Sequence, residues 1–157
     1  MSSHEKRNEL HVFCQSIITK DPTIRFAGIA NRMGKLIDTA YRDGLQPLMN
    51  SQDTEHYTVQ TVLRASTRET FENKIGKQRY AIAVYEKLIR ATIPLVIRSD
   101  DNEHNRGKKK KQQQQNEQNF KQLYLLISFD VKSDIISIIE DKILPQVDRF
   151  ENDPSIA

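Results

Sequence analysis

Ile24 to Gly44, IRFAGIANRMGKLIDTAYRDG, constrains the fold more than any other segment, because two runs of alternating residues flank Asn31-Arg32-Met33-Gly34. Ile24, Phe26, Gly28 and Ala30 share one phase before the turn. Lys35, Ile37, Thr39 and Tyr41 share one after it, with Leu36 on the opposite phase. A period of two marks a half-buried strand, and a glycine closing a four-residue loop supplies the left-handed backbone that a hairpin requires. The segment reads as an antiparallel hairpin that sets the architecture and carries no chemistry of its own.

Helical and strand patterns fill the rest of the chain. From about Lys6 to Thr19, Leu10, Phe13, Cys14, Ile17 and Ile18 form the stripe of an amphipathic helix, stopped by Asp21-Pro22. A second helix is expected from Gln52 or Asp53 to Lys74, with Ser51 or Asp53 as N-cap and Gly76 at its end. Arg79–Tyr85 and Leu88–Val96 read as strands joined by Glu86-Lys87, and Pro94 marks the second as an edge or as finishing there. Leu123–Phe129 has the continuous apolar run of a buried strand. Ser133 is placed to cap a last helix bearing Ile135, Ile136, Ile138, Ile139, Ile143 and Leu144, ended or kinked at Pro145. The tail 151–157 reads as frayed.

The order α-β-β-α-β-β-β-α predicts an α+β domain in which helices flank a five-stranded antiparallel sheet. A length of 157 residues with 37% hydrophobic content suits one domain, residues 1–157, with a modest core. The lone Cys14 excludes an internal disulfide, the N-terminus MSSHEKRNEL has no apolar leader, and no window approaches a membrane span. These features point to the cytoplasm and to no membrane contact.

Net charge is +3, and its location matters more than its size. Residues 98–121 hold seven Lys or Arg and four acids, which leaves 17 of each sign elsewhere. Basicity thus belongs to one polar insert, rich in Lys and Gln and without an apolar residue from Ser99 to Asn119, that lacks the means to offset the entropy of ordering it. We expect a disordered insert between two strands. Lys108, Lys109, Lys110 and Lys111 offer contact to phosphate or an acidic surface, but a solvated loop tip is the simpler reading. No aromatic is interleaved with them, which speaks against nucleic acid.

No constellation of catalytic type stands out. His4, His11, His56 and His104 lack metal-site spacing, Cys14 lies on the apolar stripe of the first helix, and GxSxG, GxGxxG and GxxxxGK[ST] are all missing. No catalytic residue, cofactor or metal ligand is assigned. The second helix is the more informative element. A 100-degree wheel puts Val59, Val62, Leu63, Ser66 and Thr70 on one side, expected to pack on the sheet, and Tyr57, Thr61, Arg64, Arg68, Phe71 and Ile75 on the other. Aromatic and arginine residues on one stripe are enriched at protein interfaces, and the two arginines also suit a carboxylate or phosphate. An ordinary solvated face with local Arg68–Glu72 pairing explains the same stripe without function.

The element order resembles the profilin-like and roadblock/longin-type folds. The segments DPTIRFAGIANRMGKLIDTAYRDGLQPLM, VLRASTRETF, GKQRYAIAVYEKLIRATIPL and LYLLISFD resemble a group of small uncharacterised proteins of ammonia-oxidising archaea. The roadblock resemblance implies a homodimer packed through the central helix. It also implies a non-enzymatic regulatory or adaptor module whose protein partner is a small GTPase or signalling component. Two alternatives remain open: a small-molecule sensor with its ligand near Phe26, Tyr41, Tyr85 and Tyr124, and an anionic partner or nucleic acid held by the lysine run.

Overall fold

The computed structural model describes residues 3–98 and 120–153. Helix α1 (Ser3–Ile18) precedes the hairpin β1 (Ile24–Ala30) and β2 (Leu36–Tyr41); α2 (Ser51–Arg68) runs through a 3-10 turn, Glu69–Phe71, into the short α3 (Glu72–Ile75). Strands β3 (Ala81–Val84), β4 (Ile89–Arg98) and β5 (Phe120–Phe129) follow, then α4 (Ile135–Ile138) and α5 (Leu144–Asn152), joined by a π-helical turn at Ile139–Ile143. All pairings are antiparallel, and the sheet order is β2-β1-β5-β4-β3. No helix among the described residues is long and apolar enough to cross a membrane.

The hairpin turn forms as the sequence implies. Gly34 has φ 80°, its N–H donates to the Asn31 carbonyl at 3.0 Å, and the Asn31 side chain accepts from the N–H groups of Met33 and Lys35. Strand β1 departs from simple alternation, however. The pairing of β1 with β5 shifts between Ile24 and Phe26, so Ile24, Ala27 and Ile29 enter one apolar cluster while Phe26 and Ala30 enter another across the sheet. Both faces of β1 are covered.

One face carries the main core. Leu10, Phe13, Cys14 and Ile17 of α1 and Ile138, Ile139, Ile143, Val147 and Phe150 of the C-terminal helices pack on Ile89, Ile93, Leu95, Leu125, Ile127 and Phe129. The Phe13 and Phe150 rings stack at 4.1 Å and 17°. Burial also pushes the Cys14 thiol up to about 12, with Asp38 adding to the effect, so it stays protonated and inert. On the other face a smaller cluster of Phe26, Ala30, Tyr124, Leu126 and partly buried Leu36 meets only Val62 and Ala65 of α2.

Several boundaries differ from expectation. The N-cap of α2 is Asn50, whose side chain accepts from the Asp53 N–H at 2.8 Å. This helix breaks after Arg68 instead of running to Lys74; Gly76 (φ 85°) closes α3. Asp134, not Ser133, occupies the N-cap of α4. Pro145 neither ends nor interrupts the last helix, because the π turn just before it shifts the hydrogen-bond pattern around the missing N–H and α5 continues to Asn152.

Arg98, assigned to the insert, pairs with Phe120 at the end of β4, and Lys121 pairs with Ile97. Pro94 sits within β4, which continues to Arg98; β3 ends opposite Thr92, so among the described residues no strand flanks Pro94 on that side. Glu151, assigned to the frayed tail, is helical and accepts from the Val96 N–H at 3.0 Å, covering part of this free β4 edge. Residues 99–119, with Lys108–Lys111, and the tail 154–157 lie outside the described residues.

Candidate protein interface

Strands β5 and β4 show where the site lies. From Leu123 to Phe129 every residue of β5 is buried, whereas β4 alternates: Ile89, Ala91, Ile93 and Leu95 are buried, and Arg90, Thr92, Pro94 and Val96 are half-buried. Helix α2 covers the β1–β5 half of its face of the sheet and leaves the β4–β3 half open. On β3 the residues opposite Arg90 and Thr92 are Ala83 and Ala81, too small to fill the space.

The result is a groove. One wall is α2, with Tyr57, Thr61, Arg64, Ala65 and Arg68; its floor and far wall come from Arg90, Thr92, Ala81, Ala83 and Gln78. Over the Tyr57 ring sits the Arg90 guanidinium, 4.2 Å from the centroid, and the Tyr57 hydroxyl meets that of Tyr85 at 3.1 Å. Arg64 lies 5.8 Å from the same ring and donates to the Thr61 hydroxyl at 3.3 Å. Burial lowers the pKa of Arg90, resisted by the electron-rich oxygens of Tyr57, Tyr85 and Tyr41. Burial and the Tyr85 hydroxyl raise that of Tyr57, with Arg90 opposing them. Three arginines thus enter one groove whose lining residues include no acid.

The six stripe residues expected on the interface side of α2 fare differently. Tyr57, Arg64 and Arg68 come together at the groove. Thr61 is buried at its floor side, its hydroxyl donating to the Tyr57 carbonyl at 2.9 Å. Phe71 and Ile75, 57% and 83% exposed, lie beyond the break after Arg68 and leave the stripe. The sheet-facing side of α2 is also rotated from expectation: Thr58, Thr61, Val62 and Ala65 are buried, while Val59 and Leu63 are 48% and 64% exposed. Small Thr and Ala side chains let the helix approach closely, and the threonine hydroxyls satisfy themselves on carbonyls four residues back. Arg90 was legible only as a polar strand residue. The alternation of β4, which sets Arg90 and Thr92 on one face, is the signal that marks it.

The four aromatics considered for a ligand pocket are not gathered into one. Phe26 and Tyr41 contact each other at 5.0 Å and border a cavity of about 40 Å³, room for a few waters. Tyr85 sits on Tyr57. Tyr124 is fully buried with its hydroxyl donating to Glu69, which Arg32 also holds; burial and Glu69 push the phenol up to about 12. Away from the groove, Arg25 and Arg42 grip Asp130 at 3.1 and 2.7 Å. Among the described residues no three His, Cys, Asp or Glu side chains gather as a metal site.

No protein-family model and no curated protein matches the chain. Solved structures do. Myxococcus xanthus MglB matches with a TM-score of 0.63 and 12% identity over 97% of this chain and 92% of that one. A roadblock/LC7 domain from Streptomyces avermitilis gives 0.57 and 8% identity over 91% and 95%, and an MglB structure with a tetrameric arrangement gives 0.52 and 11% over 99% and 88%. At such identities the likeness is one of backbone architecture. With five antiparallel strands, α1 and α4–α5 on one face and α2 on the other, the chain has a roadblock/LC7-type α+β fold.

Proposed function

We propose that the chain is a non-enzymatic regulatory or adaptor module of the cytoplasm, related to the small archaeal proteins its segments resemble, that works as a homodimer through the α2 groove. The observation that carries this reading is the uncovered half of the α2 face. Tyr57, Arg64 and Arg68 stand beside Arg90, Thr92, Ala81 and Ala83, and among the described residues β3 is the last strand of the sheet. An unpaired strand edge next to an aromatic and arginine-rich groove has the composition of a protein contact. An MglB with a tetrameric arrangement shares the fold, which supports self-association. A small GTPase or signalling protein is the partner class implied by the roadblock resemblance.

Sedimentation of the wild type and of Arg64→Glu/Arg68→Glu tests the proposal. We expect a concentration-dependent dimer for the first and a folded monomer for the second; a wild type that stays monomeric at high concentration sinks the dimer. Retention of a purified small GTPase on immobilised wild type, lost with the double variant, would support the partner class, and equal retention by both would place that contact elsewhere.

A further inference from the structure

We infer that the groove between α2 and the β4–β3 half of the sheet is a binding site for a phosphate monoester, its anionic head held by Arg64, Arg68 and Arg90. In other parts of the molecule guanidinium groups rest on carboxylates: Arg25 and Arg42 pair with Asp130, Arg32 with Glu69 and Arg79 with Glu140. By contrast, none of the three groove arginines has an ion pair among the described residues, although all three line one space. Arg90 is the most exacting case. It is half-buried on the sheet, with the Tyr57 ring 4.2 Å from its guanidinium, the phenols of Tyr85 and Tyr41 near by and the like charge of Arg25 behind it; no carboxylate is among these groups. A charge withdrawn from water without a counter-ion is costly, and a bound anion offsets that cost.

The donors are oriented before any ligand arrives. Arg64 donates to the Thr61 hydroxyl at 3.3 Å, Thr61 in turn donates to the Tyr57 carbonyl at 2.9 Å, and Arg64 and Arg90 both approach the Tyr57 ring. One threonine and one tyrosine thus set two guanidinium forks toward the same space. Ala65, Ala81 and Ala83 keep it open, and Gln78 and Thr92 add neutral donors along its wall. Its free volume is about 70 Å³, against the roughly 300 Å³ or more that encloses a whole small-molecule ligand. The groove therefore admits a charged head and leaves the rest of the ligand outside. A carboxylate offers one charge and two oxygens, which a single guanidinium satisfies. A phosphate monoester carries about −1.5 to −2 and three acceptor oxygens, which suit several forks converging on one point.

The site shares its groove with the self-association proposed above and does not depend on it, so the two fail separately. A wild type that binds phosphate yet stays monomeric would sink the dimer and keep the site; a dimer that ignores phosphate would do the reverse. Isothermal titration of the full chain with inorganic phosphate, glycerol phosphate and a phosphoserine peptide, at fixed ionic strength and with acetate as the control, reads the site. Arg90→Gln should weaken phosphate binding by about tenfold or more, the usual consequence of losing a charged hydrogen-bond donor. Arg64→Gln/Arg68→Gln, at exposed helix positions where folding is not at stake, should weaken it at least as much. Far-UV circular dichroism of each variant checks that the fold is kept. Acetate binding as tight as phosphate, or either folded variant binding phosphate like wild type, would overturn the site. Tighter binding of the phosphoserine peptide than of glycerol phosphate would assign the phosphate to a modified protein partner, and the opposite order to a free small molecule; both orders support the site.

Discussion

On one side of the sheet α1, α4 and α5 bury a continuous apolar layer; on the other, α2 packs over β1, β5 and Leu36 of β2 and leaves the β4–β3 half as a groove. The first side has stacked Phe13 and Phe150, fully buried Ile17, Ile24, Leu125 and Phe129, and a thiol so shielded that its pKa rises to about 12. The second has threonines against the sheet, exposed Val59 and Leu63, and arginines resting on tyrosine. The difference separates two tasks: folding free energy comes mainly from the filled side, and the half-empty side is left available for contact.

The sharpest way to break that division is Phe13→Ala. Removing a fully buried ring that stacks on Phe150 should cost about 3–5 kcal/mol in urea unfolding, since helices and sheet cannot both collapse onto the void. A cost below about 1 kcal/mol would mean that the filled side does not dominate stability.

How much of this was readable beforehand depended on which physical signal each element carried. Strand β5 showed its burial openly, because LYLLISF has no polar phase, and the α1 stripe did so because large apolar side chains recur at helical spacing. Helix α2 misled. Its exposed apolar residues, Val59 and Leu63, are not those that meet Tyr124 and Leu126; Val62 and Ala65 do, and the buried positions beside them are the small Thr58 and Thr61. Hydrophobicity alone therefore rotates the inferred contact side away from the true one. The break after Arg68 was invisible for a related reason: Glu69 is held by Tyr124 and Arg32, partners far away in sequence. Within the candidate interface Tyr57, Arg64 and Arg68 were legible from the wheel, whereas Arg90 needed the knowledge that α2 stops short of β4.

The contact between hairpin and α2 is the next place to test the covered half. A Cβ on Gly34 would lie 2.8 Å from the Val59 Cα, and φ there is +80°. Backbone cannot yield as a side-chain tip can, so Gly34→Ala should cost about 1–3 kcal/mol by thermal or urea unfolding. A neutral outcome would show that the turn does not anchor α2.

Asp130 sharpens the comparison by asking what ties the strands together at their ends. The Arg42 hydrogen bond holds its carboxyl below the usual carboxylate range, against burial and with help from Arg25. A depressed folded value means that its contribution is complete above the unfolded pKa near 4 and fades as pH falls through the lower folded value. Asp130→Asn should cost about 1–2 kcal/mol at pH 7, discounted for the exposure of the pair. The gap between wild type and variant should narrow in urea unfolding below about pH 4. A gap that stays constant down to about pH 2.5 would assign the effect to something other than this charge.

Leu63→Ser carries the smallest expected effect and discriminates most finely. Leu63 is 64% exposed and lies on α2 away from the groove stripe, so the unfolding free energy should change by no more than about 0.5 kcal/mol. Sedimentation should be unchanged as well, because the proposed contact uses Tyr57, Arg64 and Arg68 and not the outer flank of the helix. If Leu63→Ser weakens self-association as strongly as Arg64→Glu/Arg68→Glu, the contact wraps around α2 and the groove is only part of it. If it changes neither stability nor assembly, the exposed apolar residues of the outer flank are separable from both the core and the groove. That leaves Leu63 as surface that neither folding nor the proposed homodimer requires.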